Sequence, residues 1–349
     1  MTNITQALME KKCAVTRLFP IFAFIIPVAI LYVLYPKSFE GAAPPSWEGW
    51  WQGRFFYIFF LWLASLEIIL DWEQIQPIKV NKFCSSRTFM LLVALSLPSL
   101  YVIASNFWGL NNIITDTSSD AIKSIAGQTD ILKPQLIPLA TEYIAFAVLF
   151  CLIISLTYGV NQLADFSMPT FLLGITALLY IIDDLYPTGR FLPLQMFVPP
   201  TATLAVGILN MMGYATVTKQ MVHPIYGNIF SLTVQDPNAL GKCASFGIAW
   251  PCAGVESIFI YTVTILPFLT KISISWWKRT AYFIIGAIIT YFINVLRIIT
   301  IFLIALNNGD WISFHNIYGP LYSITWISLY PLIVVGTQVA WRKIKVQRH

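Results

Sequence analysis

The sequence predicts an all-α, polytopic integral membrane protein with about eight transmembrane helices. Three observations carry that reading. Of the 349 residues, 57% are hydrophobic and 15% aromatic, but only 11% are charged; soluble domains carry about 25%. The apolar runs are continuous, and most approach the length of about 20 residues that a bilayer-crossing helix needs. They do not alternate as barrel strands would. Lys and Arg gather in short clusters between the runs and at both ends, as they do in cytoplasmic loops. These clusters account for the net charge of +5. No nucleic-acid motif accompanies them, and no nucleic-acid partner is expected.

Candidate spans fall near residues 17–35, 55–70, 88–105, 139–158, 168–182, 194–212, 252–269, 280–306 and 318–340. The first is long enough to be an anchor rather than a cleavable signal. Four basic clusters set the orientation: Lys11, Lys12 and Arg17; Lys79, Lys82 and Arg87; Lys271, Lys278 and Arg279; and Arg342, Lys343, Lys345 and Arg348. All four are expected inside. The loop 106–138 carries Asp116, Asp120 and Asp130 against Lys123 and Lys133 and suits the outside. Both termini inside require an even number of spans, so one of the nine runs does not cross. The run 168–182 is only about 22 Å long as a helix and ends at Asp183 and Asp184. The run 194–212 holds Pro199 and Pro200, which should break or kink it. One of these two is expected to be re-entrant or interfacial. Residues 214–251 mix β-branched residues with Gly and Pro; a short extracytoplasmic hairpin is expected there. No repeat or linker divides the chain, so residues 1–349 read as a single membrane domain in the cell membrane.

The candidate chemistry lies in the last third. The five cysteines show no CxxC spacing, so no metal site and no organic cofactor are expected. The one plausible disulfide joins Cys243 and Cys252. Cys252 follows Pro251, a residue suited to a helix's first turn. At the positive end of a helix its thiol would favour thiolate. Arg297 lies in an apolar helix, where a charge is costly and marks a functional site by default. Asn294, three residues earlier, shares its face and could orient the guanidinium. His315, in the loop "SFHNIYGP", would supply an imidazole base. The predicted topology puts all three on the outer side of two neighbouring helices. There Cys could attack a carbonyl, His move the proton and Arg hold the oxyanion. Glu256 lies one turn beyond Cys252 and is expected to pair with Arg297, since either charge alone would be costly.

The ordered blocks "CAGVES", "NVLRI" and "FHNIYGP" resemble the exosortase/archaeosortase family of membrane cysteine transpeptidases. The resemblance covers roughly residues 168–340, the family core, and "WWQGRFFYIFFLWLASLEIILDW" looks like the thaumarchaeal branch. It implies Cys252 as nucleophile, Arg297 as oxyanion or substrate stabiliser and His315 as base, with Asn294 and Glu256 in support. It implies as substrates surface proteins ending in a short motif, a transmembrane helix and a basic tail. These would be cleaved outside the membrane and passed to a lipid or another acceptor. Glu256 departs from the resemblance, which leads one to expect Gly or Arg. Two other classes compete. A transporter would use Glu67 and Arg297 as intramembrane charges, with 168–212 as a broken helix pair. A membrane acyltransferase would use Cys252 on lipid substrates alone.

Overall fold

The computed structural model describes residues 17–33, 55–75, 86–126, 136–186, 191–223, 227–239 and 241–347. Lys11, Lys12, Lys79, Lys82, Asp130, Lys133 and Arg348 lie outside the described residues, as do Cys13 and Cys84. The chain divides into two compact units, residues 1–181 and 182–349.

The first unit is helical throughout its described residues: α1 Phe19–Val33, α2 Phe55–Leu70, α3 Ser86–Phe107, α4 Leu110–Ala126, α5 Ile137–Thr157, a 3-10 segment Val160–Phe166 and the main length of α6 Ser167–Leu185. Lipid-embedded helices associate through close packing rather than by exclusion of water, and here aromatic rings supply it. Phe24 packs edge-on against Phe60, centroids 5.2 Å apart, and Tyr57 stacks on Tyr143 at 4.7 Å. Two buried carboxylates are built into this packing. Tyr57 donates its hydroxyl proton to Glu142 Oε1 at 2.8 Å. Glu67 Oε1 accepts the backbone N–H of Met168 at 3.0 Å, in the first turn of α6, where amide groups lack helical partners. Glu67 is thus a helix cap supplied from another helix. The stretch 110–126, expected as part of a polar loop, is helical. Its apolar residues recur with polar ones between them, which a reading for continuous apolar runs passes over.

The second unit begins within the last turn of α6. A short helical turn, Leu192–Gln195, precedes α7, Val198–Met211. The break expected from the prolines is there, but it falls before Val198. Pro199 and Pro200 occupy the first turn of α7, where a missing N–H costs nothing. Next come three antiparallel strands, β1 Ala215–His223, β2 Gly227–Gln235 and β3 Cys243–Ile248, in the order β1-β2-β3. The register pairs Ala215 with Gln235 and Phe230 with Ile248. The expected hairpin is therefore extended by a third strand. Leu232, Val234, Ala244 and Ile248 are buried on one face, while Thr233 and Ser245 share a hydrogen bond of 2.8 Å on the other. The unit closes with α8 Val255–Lys271, α9 Trp276–Leu306 and α10 Gly319–Gln347. Gly286 lets α9 and α10 approach: a Cβ there would lie 2.7 Å from the ring of Tyr330.

Six helices among the described residues are long and apolar enough to cross a membrane, including Val160–Leu185 and Leu192–Met211. Both segments between which the sequence left its surplus span thus have spanning length. The polytopic all-α class stands, with one small sheet inserted ahead of α8.

Candidate active site

Cys252 lies in a 3-10 turn, Trp250–Ala253, rather than in the first turn of a helix. Gly254 follows with φ +86°, and α8 starts only at Val255. The left-handed residue separates Cys252 from the first turn of α8, where the sequence placed it. Gly254 is required twice over: its φ is strained for any L side chain, and a Cβ would lie 2.8 Å from the Asn294 amide.

Three side chains hold this turn. Gln195 Oε1 accepts the Trp250 backbone N–H at 3.1 Å, and its Nε2 donates to the Asn228 carbonyl in β2 at 3.4 Å. Asn294 Nδ2 donates to the Cys252 carbonyl at 2.9 Å. Thr201 Oγ1 donates to the Ala253 carbonyl at 3.1 Å and lies 2.9 Å from the Tyr291 hydroxyl. The turn is thereby tied to α7, α9 and the sheet at once. Asn294, expected to orient Arg297, instead grips the cysteine's own backbone.

Arg297 lies in α9, nine residues before its end at Leu306, about 14 Å along the axis. Its Nη2 donates to the His315 carbonyl at 3.2 Å. Its Nε is sealed from solvent and has no hydrogen-bond partner. A Cβ on Gly319 would run into Nε, which explains the glycine after "FHNIY": the guanidinium passes against the start of α10. His315 sits in a π-helical segment, Phe314–Tyr318, not in an open loop.

The expected direct pair between Glu256 and Arg297 does not form. Each feels the other's charge, but Arg297 Nε and Glu256 Oε1 both lack hydrogen-bond partners. The guanidinium is turned instead toward the His315 carbonyl. Nor are Cys243 and Cys252 bridged, since both are free. Strand β3 carries Cys243 roughly 16 Å from Ile248, at about 3.3 Å per residue.

Burial pushes the Cys252 thiol up from its ordinary range, and Arg297 offsets only part of this. The thiolate expected from a helix terminus is therefore not the resting form. Burial also lowers His315 to about 4, with Arg297 adding to the effect. At neutral pH the pair is a thiol and a neutral imidazole. Among the described residues no hydrogen bond joins them; both lie within electrostatic reach of the same guanidinium. The unit thus brings together Cys252, Asn294, Glu256, Arg297 and the His315 backbone. Three further residues join them: Gln195, Thr201 and Asp183. Asp183, near the C-terminal end of α6, lies within electrostatic reach of Cys252 and Glu256. Its only signal in the sequence was an abrupt end to an apolar run.

A family model described as transmembrane exosortase matches residues 50–333. The chain belongs to the transmembrane exosortase family. Membership carries a membrane transpeptidase role in general terms, and the matched range takes in Cys252, Arg297 and His315. No curated protein and no solved structure matches the chain significantly.

Proposed function

We propose that this member of the exosortase family cleaves the C-terminal sorting signals of surface proteins at the outer face of the membrane and transfers the new carboxyl end to a lipid or other acceptor. Cys252 is the nucleophile, Arg297 the oxyanion stabiliser and His315 the base. The observation that carries this reading is the unused Nε–H of an Arg297 within electrostatic reach of a thiol whose backbone is held by Asn294. A sealed guanidinium donor without an acceptor is suited to a charge that appears only during reaction.

In this mechanism the thiol attacks the scissile carbonyl and its proton passes to His315. With the thiol raised and the imidazole lowered, that transfer is uphill in the resting site. It becomes feasible as negative charge moves from sulfur to the carbonyl oxygen, where Arg297 meets it. Collapse of the tetrahedral intermediate returns the proton to the departing amine and leaves a thioester on Cys252. The acceptor then attacks the thioester and the thiol is restored. Substrate recognition would rest on the transmembrane helix and basic tail of the sorting signal, with that tail on the cytoplasmic side.

Co-expression with a protein carrying such a signal tests the reading. Wild-type enzyme should shorten it, whereas Cys252→Ala should not. Unchanged shortening by a folded Cys252→Ala protein would remove the cysteine mechanism.

A further inference from the structure

The strand that runs into the cysteine turn is an edge strand. β3 pairs with β2 alone, in an unbroken register from Phe230 opposite Ile248 to Gln235 opposite Cys243. The Asp236 N–H donates to the Lys242 carbonyl at 3.1 Å, which makes those two residues a hydrogen-bonded pair. Such pairs alternate along an antiparallel ladder, so Ala244, Phe246 and Ile248 turn their backbone groups to β2. Cys243, Ser245 and Gly247 turn theirs to the open side. Among the described residues none of these three meets a backbone partner there, and all three are exposed. For Gly247, that exposure is exposure of the backbone itself.

Proteins guard exposed edges with charges, prolines or bulges. The six residues of β3, "CASFGI", hold none of these, whereas β1 at the other edge carries Lys219. The strand is also fixed to the site. Phe246 packs against Phe302 of α9, ring centroids 5.1 Å apart, and the same helix supplies Asn294 and Arg297. Gln195 continues the ladder past the end of β3. Its amide stands between the Trp250 N–H and the Asn228 carbonyl, the two groups that the next hydrogen-bonded pair would join. The open edge is thereby carried in line to the turn. Ala249 is extended, and its carbonyl accepts the Cys252 N–H at 3.0 Å. A turn closed in this way keeps its end Cα atoms within about 7 Å, and Gly247 lies about 7 Å before Ala249. About four extended residues span that distance.

We propose that the open edge of β3 seats the substrate: about four residues on the N-terminal side of the scissile bond join the sheet as a fourth strand. The inference rests on the reading of Cys252 as the nucleophile. β3 leads toward Cys252, and these residues lead toward the scissile carbonyl, so the added strand runs parallel to β3. Main-chain groups along the edge supply the affinity, so the occupant is an extended peptide. Its alternate residues turn N–H and C=O to β3 and the others turn away, which gives the interaction a period of two.

Peptide thioesters test the seat on the wild-type, full-length enzyme in detergent, without the natural substrate. Cys252 displaces benzyl mercaptan from the thioester, and peptide mass spectrometry reads the acylated cysteine. Each rate is divided by that of N-acetylcysteine in solution. The benzyl thioester of acetyl-Thr-Val-Thr-Ala should acylate Cys252 at least about tenfold faster than S-benzyl thioacetate does. N-methylation of the peptide should cost about fivefold, the worth of one hydrogen bond, at alternate residues and little at those between. Ser245→Pro removes one outward N–H and no bond to β2, and should bring the tetrapeptide preference down. Equal rates for the two thioesters would overturn the seat and leave the nucleophile standing. So would N-methyl losses without alternation, a series that needs no variant to fold, and so would an undiminished preference in Ser245→Pro. Equal rates together with a dimer that Ser245→Pro dissociates would give the edge to a second copy of the chain, and would overturn the seat as well. Failure of Cys252 to acylate with either thioester while the exposed Cys243 does would instead overturn the nucleophile, and the seat with it.

Discussion

The two units differ in how their buried carboxylates are served. In residues 1–181 Glu142 and Glu67 each have an oxygen that meets a donor within the protein: Tyr57 serves Glu142 Oε1, and the Met168 amide serves Glu67 Oε1. In residues 182–349 Asp183 Oδ1, Glu256 Oε1 and Arg297 Nε meet none. A satisfied buried polar group fixes a packing arrangement. An unsatisfied one is costly unless a ligand or a transition state completes it. The contrast assigns structure to the first set and chemistry to the second. It also weakens the transporter reading, because Glu67 caps α6.

Substitutions in the two units should therefore fail differently. The largest effect is expected at Arg297. Lys keeps the charge but loses the planar fork, so Arg297→Lys should fold and yet process substrate about 100- to 1000-fold more slowly. A near-normal rate would reduce the residue to a counter-ion and erase the contrast.

The His315 environment should show in stability against pH. Folded His315 takes its proton only near 4, whereas an unfolded histidine does so near 6.5. Between those values the unfolded chain binds the proton and the folded chain does not. Stability in detergent should thus fall by ~3 kcal/mol as pH drops from about 6.5 to about 4. It should not depend on this group at higher pH. His315→Gln should remove that part of the slope in a denaturation series. The thiol adds a second signature. With Cys252 raised, its alkylation by a neutral reagent should keep rising through alkaline pH, with no plateau at neutrality.

Gly254→Ala forces a side chain into φ +86° and onto the Asn294 amide. Strain of this kind costs about 1–3 kcal/mol, and the thermal midpoint should fall. Because the same contact holds the Cys252 carbonyl, alkylation of the thiol should change as well. The smallest effect sharpens the contrast from the other side. Tyr57→Phe removes a donor from Glu142 and should cost about 1 kcal/mol of stability. It should leave the alkylation rate of Cys252 unchanged.

Much of this was legible in the sequence, for identifiable reasons. Continuous apolar runs mark lipid-facing helices, and an arginine inside one is too costly to be incidental, so Arg297 stood out. Cys252 and His315 were found by their order along the chain and the topology joining them. What stayed hidden depends on backbone detail. Gly254 takes a left-handed conformation that ends one turn and starts another, which puts Cys252 in a 3-10 turn ahead of α8 rather than in its first turn. Gln195 and Thr201 look like any polar residues in an apolar stretch until their partners, the Trp250 amide and the Ala253 carbonyl, are in place. Strand β3, "CASFGI", has too little alternation to declare itself without β2 beside it. Glu256 and Arg297 were paired on cost alone, but the guanidinium found a carbonyl instead.

The central claim is that Cys252 carries the acyl group in a site that Arg297 completes. Intact-mass and peptide mass spectrometry of wild-type enzyme, quenched in acid during turnover of a substrate with the C-terminal signal, tests it directly. The account predicts an adduct of the shortened substrate on Cys252, removable by hydroxylamine and absent from Cys252→Ala. Turnover with no adduct on Cys252, or with the adduct on another residue, would contradict it.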